Sequence, residues 1–155
     1  MTRIKEALED GPREDLYQRD YFLWVEEQVR LLRAGRLTHL DVLNLIDEVE
    51  DLGRSLKSAL TSNLFVVLKH LLKHQFQPRR RSRSWLSSIA EHRRRLRNDL
   101  RGSPSLRGYA RQRFAECYGD AREQARIETG LPAGAFPIEP PFDLNQALDP
   151  DFLPD

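Results

Sequence analysis

The chain has 155 residues, of which 39% are hydrophobic and 32% are charged, and its formal net charge is +1. This length allows one domain with a single hydrophobic core that needs no disulfide or metal. The one cysteine, Cys117, excludes an internal disulfide and is typical of a reducing compartment, so we expect a cytoplasmic protein. The longest strongly apolar run, residues 64–68, is too short to cross a bilayer, and no apolar signal core precedes it.

The small net charge hides a strong segregation of charge along the chain. Residues 1–55 have a net charge of −5, residues 69–113 of +12 and residues 114–155 of −7. A middle segment this basic would attract nucleic acid or anionic lipid if it were exposed by itself. Because acidic segments flank it, neutralisation of the basic residues within the fold is the competing interpretation.

Apolar residues recur at helical spacing in four segments, which predict helices over residues 15–34, 39–76, 84–101 and 104–129. Each segment is bounded by residues that start or stop helices. The first runs from Pro12, Asp15 or Asp20 to Gly35, and the second from Thr38 to Pro78. The third runs from Ser82 or Ser84 to Gly102, and the fourth from Ser103 to Gly130. These features predict an all-α, single-domain bundle of four to five helices.

The second predicted helix is unusually long. Thr38 and Asp41 resemble a capping box at its start, and Pro78 ends it. An unbroken helix over residues 39–76 would be about 57 Å long. Since this exceeds the width of one compact domain of this size, we predict a kink or a short break near Gly53.

Residues 131–155 differ from the rest of the chain, because six of the nine prolines lie there and exclude a long helix. The segment also carries many large apolar residues, which are Leu131, Phe136, Ile138, Phe142, Leu144, Leu148, Phe152 and Leu153. This apolar surface predicts an ordered, mostly non-helical C-terminal tail that packs on the bundle. Within it, Asp143 is placed to cap a short helical turn, LNQAL.

Several segments of the chain together resemble the bacterial domain of unknown function 29 family, over roughly residues 15–155. The segments, which keep the family's order, are YFLWVEEQVRLLRAGRLTHLD, NLIDEVEDLGRS, LLKHLLKHQFQPRRRSRSW and CYGDAREQARIETGLP, followed by a tail that ends LDPDFLPD. The resemblance implies a helical fold and an uncharacterised function. The chain differs from the family pattern at His74, where an aromatic residue is common, so the resemblance does not imply a two-histidine site.

Arginines crowd the connection between the second and third predicted helices. The four residues are Arg79, Arg80, Arg81 and Arg83. Guanidinium groups pair with phosphate through two hydrogen bonds, and the N-terminus of the following helix adds partial positive charge. We therefore predict an anion-binding loop here. The positive surface would continue through Arg93, Arg94, Arg95 and Arg97. Ion pairing within the chain, solvation and lipid contact stay open as alternatives.

His70 and His74 are four residues apart, so they share one face of the second helix. Two histidines at this spacing can bind a divalent metal when a neighbouring helix adds a carboxylate, for which Glu48 is a candidate. The spacing alone is also what a structural pair would show, with one histidine hydrogen-bonded and the other packed as an aromatic ring.

An acidic segment, defined as residues 47–51, places four carboxylates in five residues. If buried beside apolar groups, such carboxylates could bind a cation or act as a general base. Pairing with the arginines of the predicted anion-binding loop is the simpler interpretation, and we favour it for this segment.

These patterns favour a non-enzymatic binding module that holds nucleic-acid phosphate or an acidic protein at the arginines. No catalytic residue is assigned and no cofactor is expected other than a metal at the histidines, because no glycine-rich phosphate loop or serine elbow occurs. A second hypothesis is a small metal-dependent hydrolase with His70, His74 and Glu48 as ligands and an arginine that steadies a substrate oxyanion. A third is a structural subunit of a homo-oligomer, which predicts an exposed apolar patch.

Overall fold

A computed structural model describes residues 13–155, and helices dominate them. The α-helices are α1 (Arg13–Arg19), α2 (Tyr21–Arg33), α3 (Val42–Phe76), α4 (Arg83–Gly102), α5 (Leu106–Thr129) and α6 (Leu144–Leu148). Single turns of 3-10 helix occur at Leu37–His39, Pro78–Arg80 and Ala133–Ala135. No strand occurs within residues 13–155, which confirms the predicted all-α bundle, whereas the predicted start at Pro12 lies outside them. No helix among these residues has the length and apolarity needed to cross a membrane.

The contacts of the chain fall into two compact units, one ending at Gly53 and the other running from Arg54 to Asp155. Helix α3 is continuous from Val42 to Phe76 and contributes residues to both units. The continuous helix excludes the predicted short break near Gly53, and the kink there stays a prediction. The prediction compared the helix length with the width of one compact body, and that comparison does not hold for a helix shared by two units.

The first unit contains an antiparallel helical hairpin, in which α2 packs against the start of α3. Asp20 caps α2, because its carboxylate accepts a hydrogen bond from the Leu23 amide at 3.1 Å. Gly35 then turns the chain with a φ of 66°, a left-handed conformation that favours glycine. The predicted caps at Asp20 and Gly35 thus lie where the helix begins and ends.

Asp41, rather than Thr38, organises the start of α3. Its carboxylate accepts hydrogen bonds from the Trp24 indole at 3.0 Å and from the Asn44 amide at 3.4 Å. Its own amide donates to the Gln28 side chain at 2.9 Å. The predicted capping role of Thr38 is wrong, since this residue belongs to the preceding 3-10 turn and the helix begins at Val42.

The second unit contains an extended hydrophobic core, built from the second half of α3, from α4 and α5, and from the tail. Its buried members are Leu60, Leu64, Val67, Leu68, Leu71, Leu72, Ile89, Leu96, Ala110, Cys117, Tyr118, Ala121, Ala125, Phe136, Phe142, Leu144, Ala147 and Leu148. Cys117 lies here as a small apolar side chain, and burial raises the pKa of its thiol. A raised pKa disfavours the nucleophilic thiolate.

The tail after Gly130 packs on this core as predicted. Phe136 and Phe142 are 1% and 3% exposed, and Asp143 with Gln146 forms a capping box at the start of α6. Few backbone amides donate to the carbonyls of the tail, so side chains of the bundle donate hydrogen bonds to these carbonyls instead. Tyr118 donates its hydroxyl to the Pro137 carbonyl at 2.6 Å, and Arg122 donates to the Phe136 carbonyl at 3.0 Å.

Arg93 is a further buried donor of this kind. It is 3% exposed, and its Nε and Nη2 atoms donate to the Ala147 and Gln146 carbonyls at 2.8 and 3.3 Å. These carbonyls belong to the end of α6, where the Gln146 carbonyl also accepts from the Asp149 amide at 3.2 Å and the Ala147 carbonyl lies past the last backbone donor of the helix. Arg93 therefore joins α4 to the tail.

We predict that Arg93→Met destabilises the protein by about 2–3 kcal/mol, because the buried Ala147 carbonyl loses its charged donor and the Gln146 carbonyl loses one of its two donors. Urea unfolding would measure this loss, and limited proteolysis should show faster cleavage within residues 131–155. The exposed neighbour Arg94 offers a matched control, since Arg94→Met should change the free energy of unfolding by less than about 0.5 kcal/mol. Equal stabilities of the two variants would contradict the anchoring role of Arg93.

Candidate anion-binding surface

The arginine loop, defined as residues 77–83, connects α3 to α4. Helix α3 ends at Phe76 because Pro78 has no amide hydrogen and disfavours helical geometry in the residue before it. The next residues form one 3-10 turn, in which the Arg80 amide donates to the Gln77 carbonyl at 2.9 Å. The loop is therefore short and has a defined backbone.

The N-terminus of α4 is capped by its own chain. The Ser82 hydroxyl accepts a hydrogen bond from the Trp85 amide at 3.3 Å and lies 2.9 Å from the Ser84 hydroxyl. The predicted serine cap is thus confirmed at Ser82. Since this cap uses one of the free amides of the helix end, the attraction for an anion comes mainly from the arginine side chains.

The predicted four arginines of the loop separate into two kinds. Arg81 Nε donates to the His74 carbonyl at 2.9 Å, in the last turn of α3, and so holds the loop against that helix end. Arg79, Arg80 and Arg83 are exposed, and within residues 13–155 no carboxylate pairs with them. Among the described residues, no acidic group neutralises these three side chains.

Glu48 of the acidic segment has local partners instead. It accepts hydrogen bonds from the Tyr17 hydroxyl at 2.6 Å and the Tyr21 hydroxyl at 2.7 Å. The hydrogen bond to this carboxylate is the main reason that the pKa of Tyr17 is raised to about 12. Glu48 therefore joins α1 and α2 to α3 within the first unit, and the pairing of the acidic segment with the arginine loop stays a prediction.

The arginines of α4 are used in different ways. Arg94 and Arg95 pair with Glu91 at 2.9 and 2.8 Å, and these hydrogen bonds lower the pKa of Glu91 to about 2. Together with buried Arg93, they are no longer available as the predicted extension of the positive surface. Arg97, by contrast, is exposed and has no carboxylate partner among the described residues.

Arg101, which sequence reasoning did not assign to the surface, is exposed and unpaired in the same way within residues 13–155. Arg83 and Arg101 are 18 residues apart, which is five full helical turns, so they lie on one face of α4 about 27 Å apart. Arg97 lies one turn before Arg101 on that face. A shallow groove beside it is lined by Arg97, Asn98, Arg101 and Pro150, and Asp149 lines the next groove along. We call Arg83, Arg97 and Arg101 the arginine row.

The predicted metal ligands His70, His74 and Glu48 are not assembled into a site. His74 is 7% exposed, and its Nδ1 atom donates to the Pro154 carbonyl at 3.1 Å, which fixes the end of the tail. Glu48 is bound by the two tyrosines. Among residues 13–155, no group of three or more His, Cys, Asp or Glu side chains is placed to hold a metal ion.

A lysine pair that sequence reasoning missed lies beside His70. Lys69 and Lys73 donate to the two carboxylate oxygens of Glu128 at 2.8 and 2.7 Å, and Lys73 also lies 4.7 Å above the Trp85 ring. Burial opposes the ionisation of Glu128, but the hydrogen bonds from both lysines and from Gln124 outweigh it and lower its pKa to about 2. The pair links α3 to α5. Only the spacing of the lysines is visible in the sequence, because Glu128 follows 55 residues after Lys73.

His70 is half-buried, and its Nδ1 atom has no hydrogen-bond partner among the described residues. Burial and the charges of Lys69 and Lys73 lower its pKa from 6.5 to about 4, with a smaller contribution from His92 and an opposing one from Glu128. The folded protein therefore holds His70 neutral at a pH where the unfolded chain protonates it.

We predict that stability contributed by neutral His70 is complete above pH 6.5 and is lost as the pH falls from 6.5 to about 4. Glu128 begins to lose its charge only below its ordinary pKa of 4.5, so the pH ranges over which His70 and Glu128 affect stability barely overlap. Thermal unfolding followed by circular dichroism should show a smaller decrease in Tm over pH 6.5–4 for His70→Leu than for the wild type. An equally steep decrease in both proteins would assign the pH dependence to other groups.

The model of the family described as domain of unknown function DUF29 matches residues 16–153 of the chain. No curated protein and no solved structure matches it. The match confirms the resemblance inferred from the sequence segments, and it covers both units and the tail. A family without an assigned function supplies no chemistry for the arginine loop, so the surface is interpreted from its own geometry. The chain belongs to the family of domain of unknown function DUF29.

Proposed function

We propose that this chain is a binding module for a phosphate-bearing polymer, with nucleic acid as the ligand, and that it is not an enzyme. The observation that carries the proposal is that the arginine loop and the arginine row contain five exposed arginines without a carboxylate partner among residues 13–155: Arg79, Arg80, Arg83, Arg97 and Arg101. An arginine that is already paired must first lose its carboxylate before it binds a phosphate. These five have no such pair to break.

The arginine loop is suited to phosphate because its backbone is held before any ligand arrives. Arg81 fixes it to the end of α3, and Ser82 fixes it to the start of α4. Holding a loop in place lowers the conformational entropy lost on binding. Guanidinium groups also match the geometry of phosphate oxygens and hold their water less strongly than an ammonium group does.

The arginine row favours an extended ligand over a small anion. Arg83 and Arg101 are about 27 Å apart on one face of α4, a length that spans several phosphates of a nucleic-acid strand. A small anion would instead need guanidinium groups that converge on one point. An acidic protein could also lie along this row, and the binding experiment below distinguishes the two ligands.

Contacts to the phosphate backbone would dominate over contacts to bases. Trp85, an aromatic residue close to the loop in sequence, is only partly exposed, and its ring is covered by Lys73 at 4.7 Å. Binding of bases by stacking needs an accessible ring. We therefore infer a module that binds nucleic acid with little sequence preference.

We also infer a cytoplasmic location, which rests on the chemistry of Cys117. This cysteine is unpaired and 6% exposed. A buried thiol that acts only as a small apolar group is compatible with a reducing compartment, where disulfides are rare.

We predict that the chain binds a fluorescent single-stranded oligonucleotide at 50 mM salt, and that its affinity decreases steeply as salt increases. Each phosphate contact contributes about 0.7 to the slope of log K against log salt for a single strand. The variant Arg79→Gln/Arg80→Gln/Arg83→Gln should therefore lower this slope by about 2. Fluorescence anisotropy across a salt series measures both quantities.

Arg95→Gln is the matched control, because Arg95 is exposed like the loop arginines but already pairs with Glu91. It should leave the salt slope unchanged. The nucleic-acid proposal fails if the wild type does not bind the oligonucleotide at 50 mM salt, or if the triple variant and the control have the same slope. Binding of a poly-glutamate peptide without binding of the oligonucleotide would favour an acidic protein as the ligand.

A further inference from the structure

We propose that the first unit carries a dimer interface, and that a second copy of this chain covers an exposed apolar face on its helical hairpin. We define the apolar face by six residues, which are Phe22, Val29 and Leu32 on α2 and Val42, Ile46 and Val49 on α3. Their exposed fractions run from 39% at Val29 to 68% at Phe22. This proposal is independent of nucleic-acid binding, since the arginine loop and the arginine row belong to the second unit.

The described residues of the first unit include few buried apolar side chains. Among its described residues only Trp24 and Leu31 are buried apolar side chains, each 2% exposed. Leu52 continues the exposed stripe of α3 and is 66% exposed. Soluble proteins rarely leave so large a contiguous apolar patch in water. The face is therefore the unfinished half of a hydrophobic core.

Helical periodicity places the exposed residues of both helices on one side of the hairpin. On α3, spacings of four and three residues align Val42, Ile46 and Val49 in a single stripe. On α2, Phe22, Val29 and Leu32 form the corresponding stripe.

The contacts between the two helices set the direction of these stripes. The residues that join the helices, such as Trp24 on α2 and Asp41 and Glu48 on α3, lie about a third of a turn from each stripe. In both helices, the direction from the contact residues to the stripe is reached by rotating about the helix axis in the same sense. Because the helices are antiparallel, the same rotation turns both stripes to the same side.

The size and composition of the face fit a second copy of the chain. The six residues with Leu52 expose roughly 700 Å², close to the ~800 Å² that each partner buries in an interface of standard size. No charged side chain belongs to the face, so it offers no specific attraction for a charged partner. Two copies related by a two-fold axis would bury both faces together as a four-helix layer. Gly53 follows Val49 in the spacing of the α3 stripe, and there is open space around Gly53.

A lipid surface is a poorer fit for the same face. Residues 13–53 contain ten acidic and five basic side chains, so the unit as a whole is negative. Amphipathic helices that lie on membranes usually carry lysine and arginine on their polar side, which anionic headgroups attract. This hairpin would be repelled by such headgroups.

The test is sedimentation equilibrium of the whole chain between about 1 and 100 µM. We expect a dimer that dissociates on dilution. In Ile46→Ala/Val49→Ala its Kd should rise by on the order of 100-fold, because in a two-fold symmetric dimer each substitution changes the interface in both copies. Alanine has a higher helix propensity than isoleucine or valine, so at solvent-exposed sites of a monomer these changes would not reduce helix content. A monomeric Ile46→Ala/Val49→Ala variant supports the proposal, both when its circular dichroism spectrum is unchanged and when the spectrum shows a loss of helix.

Ile127→Ala is the matched control, since Ile127 is 59% exposed on α5 in the second unit and should leave the dimer unchanged. The dimer should also persist from 50 to 500 mM salt, where phosphate binding weakens steeply, so the two proposals can fail separately. A wild-type chain that stays monomeric at 100 µM would overturn the interface. So would a dimer that Ile46→Ala/Val49→Ala leaves intact, or a monomer that floats with phosphatidylcholine vesicles.

Discussion

Backbone carbonyls in the tail need hydrogen-bond donors, and this requirement determines how the second unit is held together. A segment with so many prolines cannot form a long helix, so its carbonyls have few backbone amides to pair with. Long polar side chains on the helices meet the need. Arg93, Arg122 and Tyr118 donate to tail carbonyls, and His74 donates to the Pro154 carbonyl. Arg81 does the same for the end of α3, at the His74 carbonyl.

This use of arginine inside the fold decides which arginines remain on the surface. In the second unit some guanidinium groups bind carbonyls, such as that of Arg93, and others pair with a nearby carboxylate, such as those of Arg94 and Arg95 with Glu91. Arg79, Arg80 and Arg83 have neither kind of partner among the described residues. Positive charge along the chain is therefore a poor measure of positive charge on the surface. The candidate surface is smaller than the basic segment and consists of the arginine loop and the arginine row.

The two units differ in how their apolar residues are used. In the second unit the apolar stripe of α3 is covered by α4, α5 and the tail, and residues such as Leu60 and Val67 are fully buried. In the first unit the same helix has an apolar stripe that remains exposed, as at Val49, which is 65% exposed. One continuous stripe in the sequence thus has two different environments. The difference comes from the number of elements that pack on each half of α3.

The sequence by itself determined the helices, most of their ends and the packing of the tail. These features depend on local chemistry: Ser82, Gly35 and Asp143 act on residues within one helical turn, and helical periodicity follows from spacing alone. The continuity of α3 through Gly53, the partners of Glu48 and the role of Arg93 were decided by the tertiary structure. The partners of Glu48 and the role of Arg93 depend on groups far away in the chain, as does the pairing of Lys73 with Glu128. Whether a charged residue is buried, paired or free is set by such distant neighbours, and no local pattern records them.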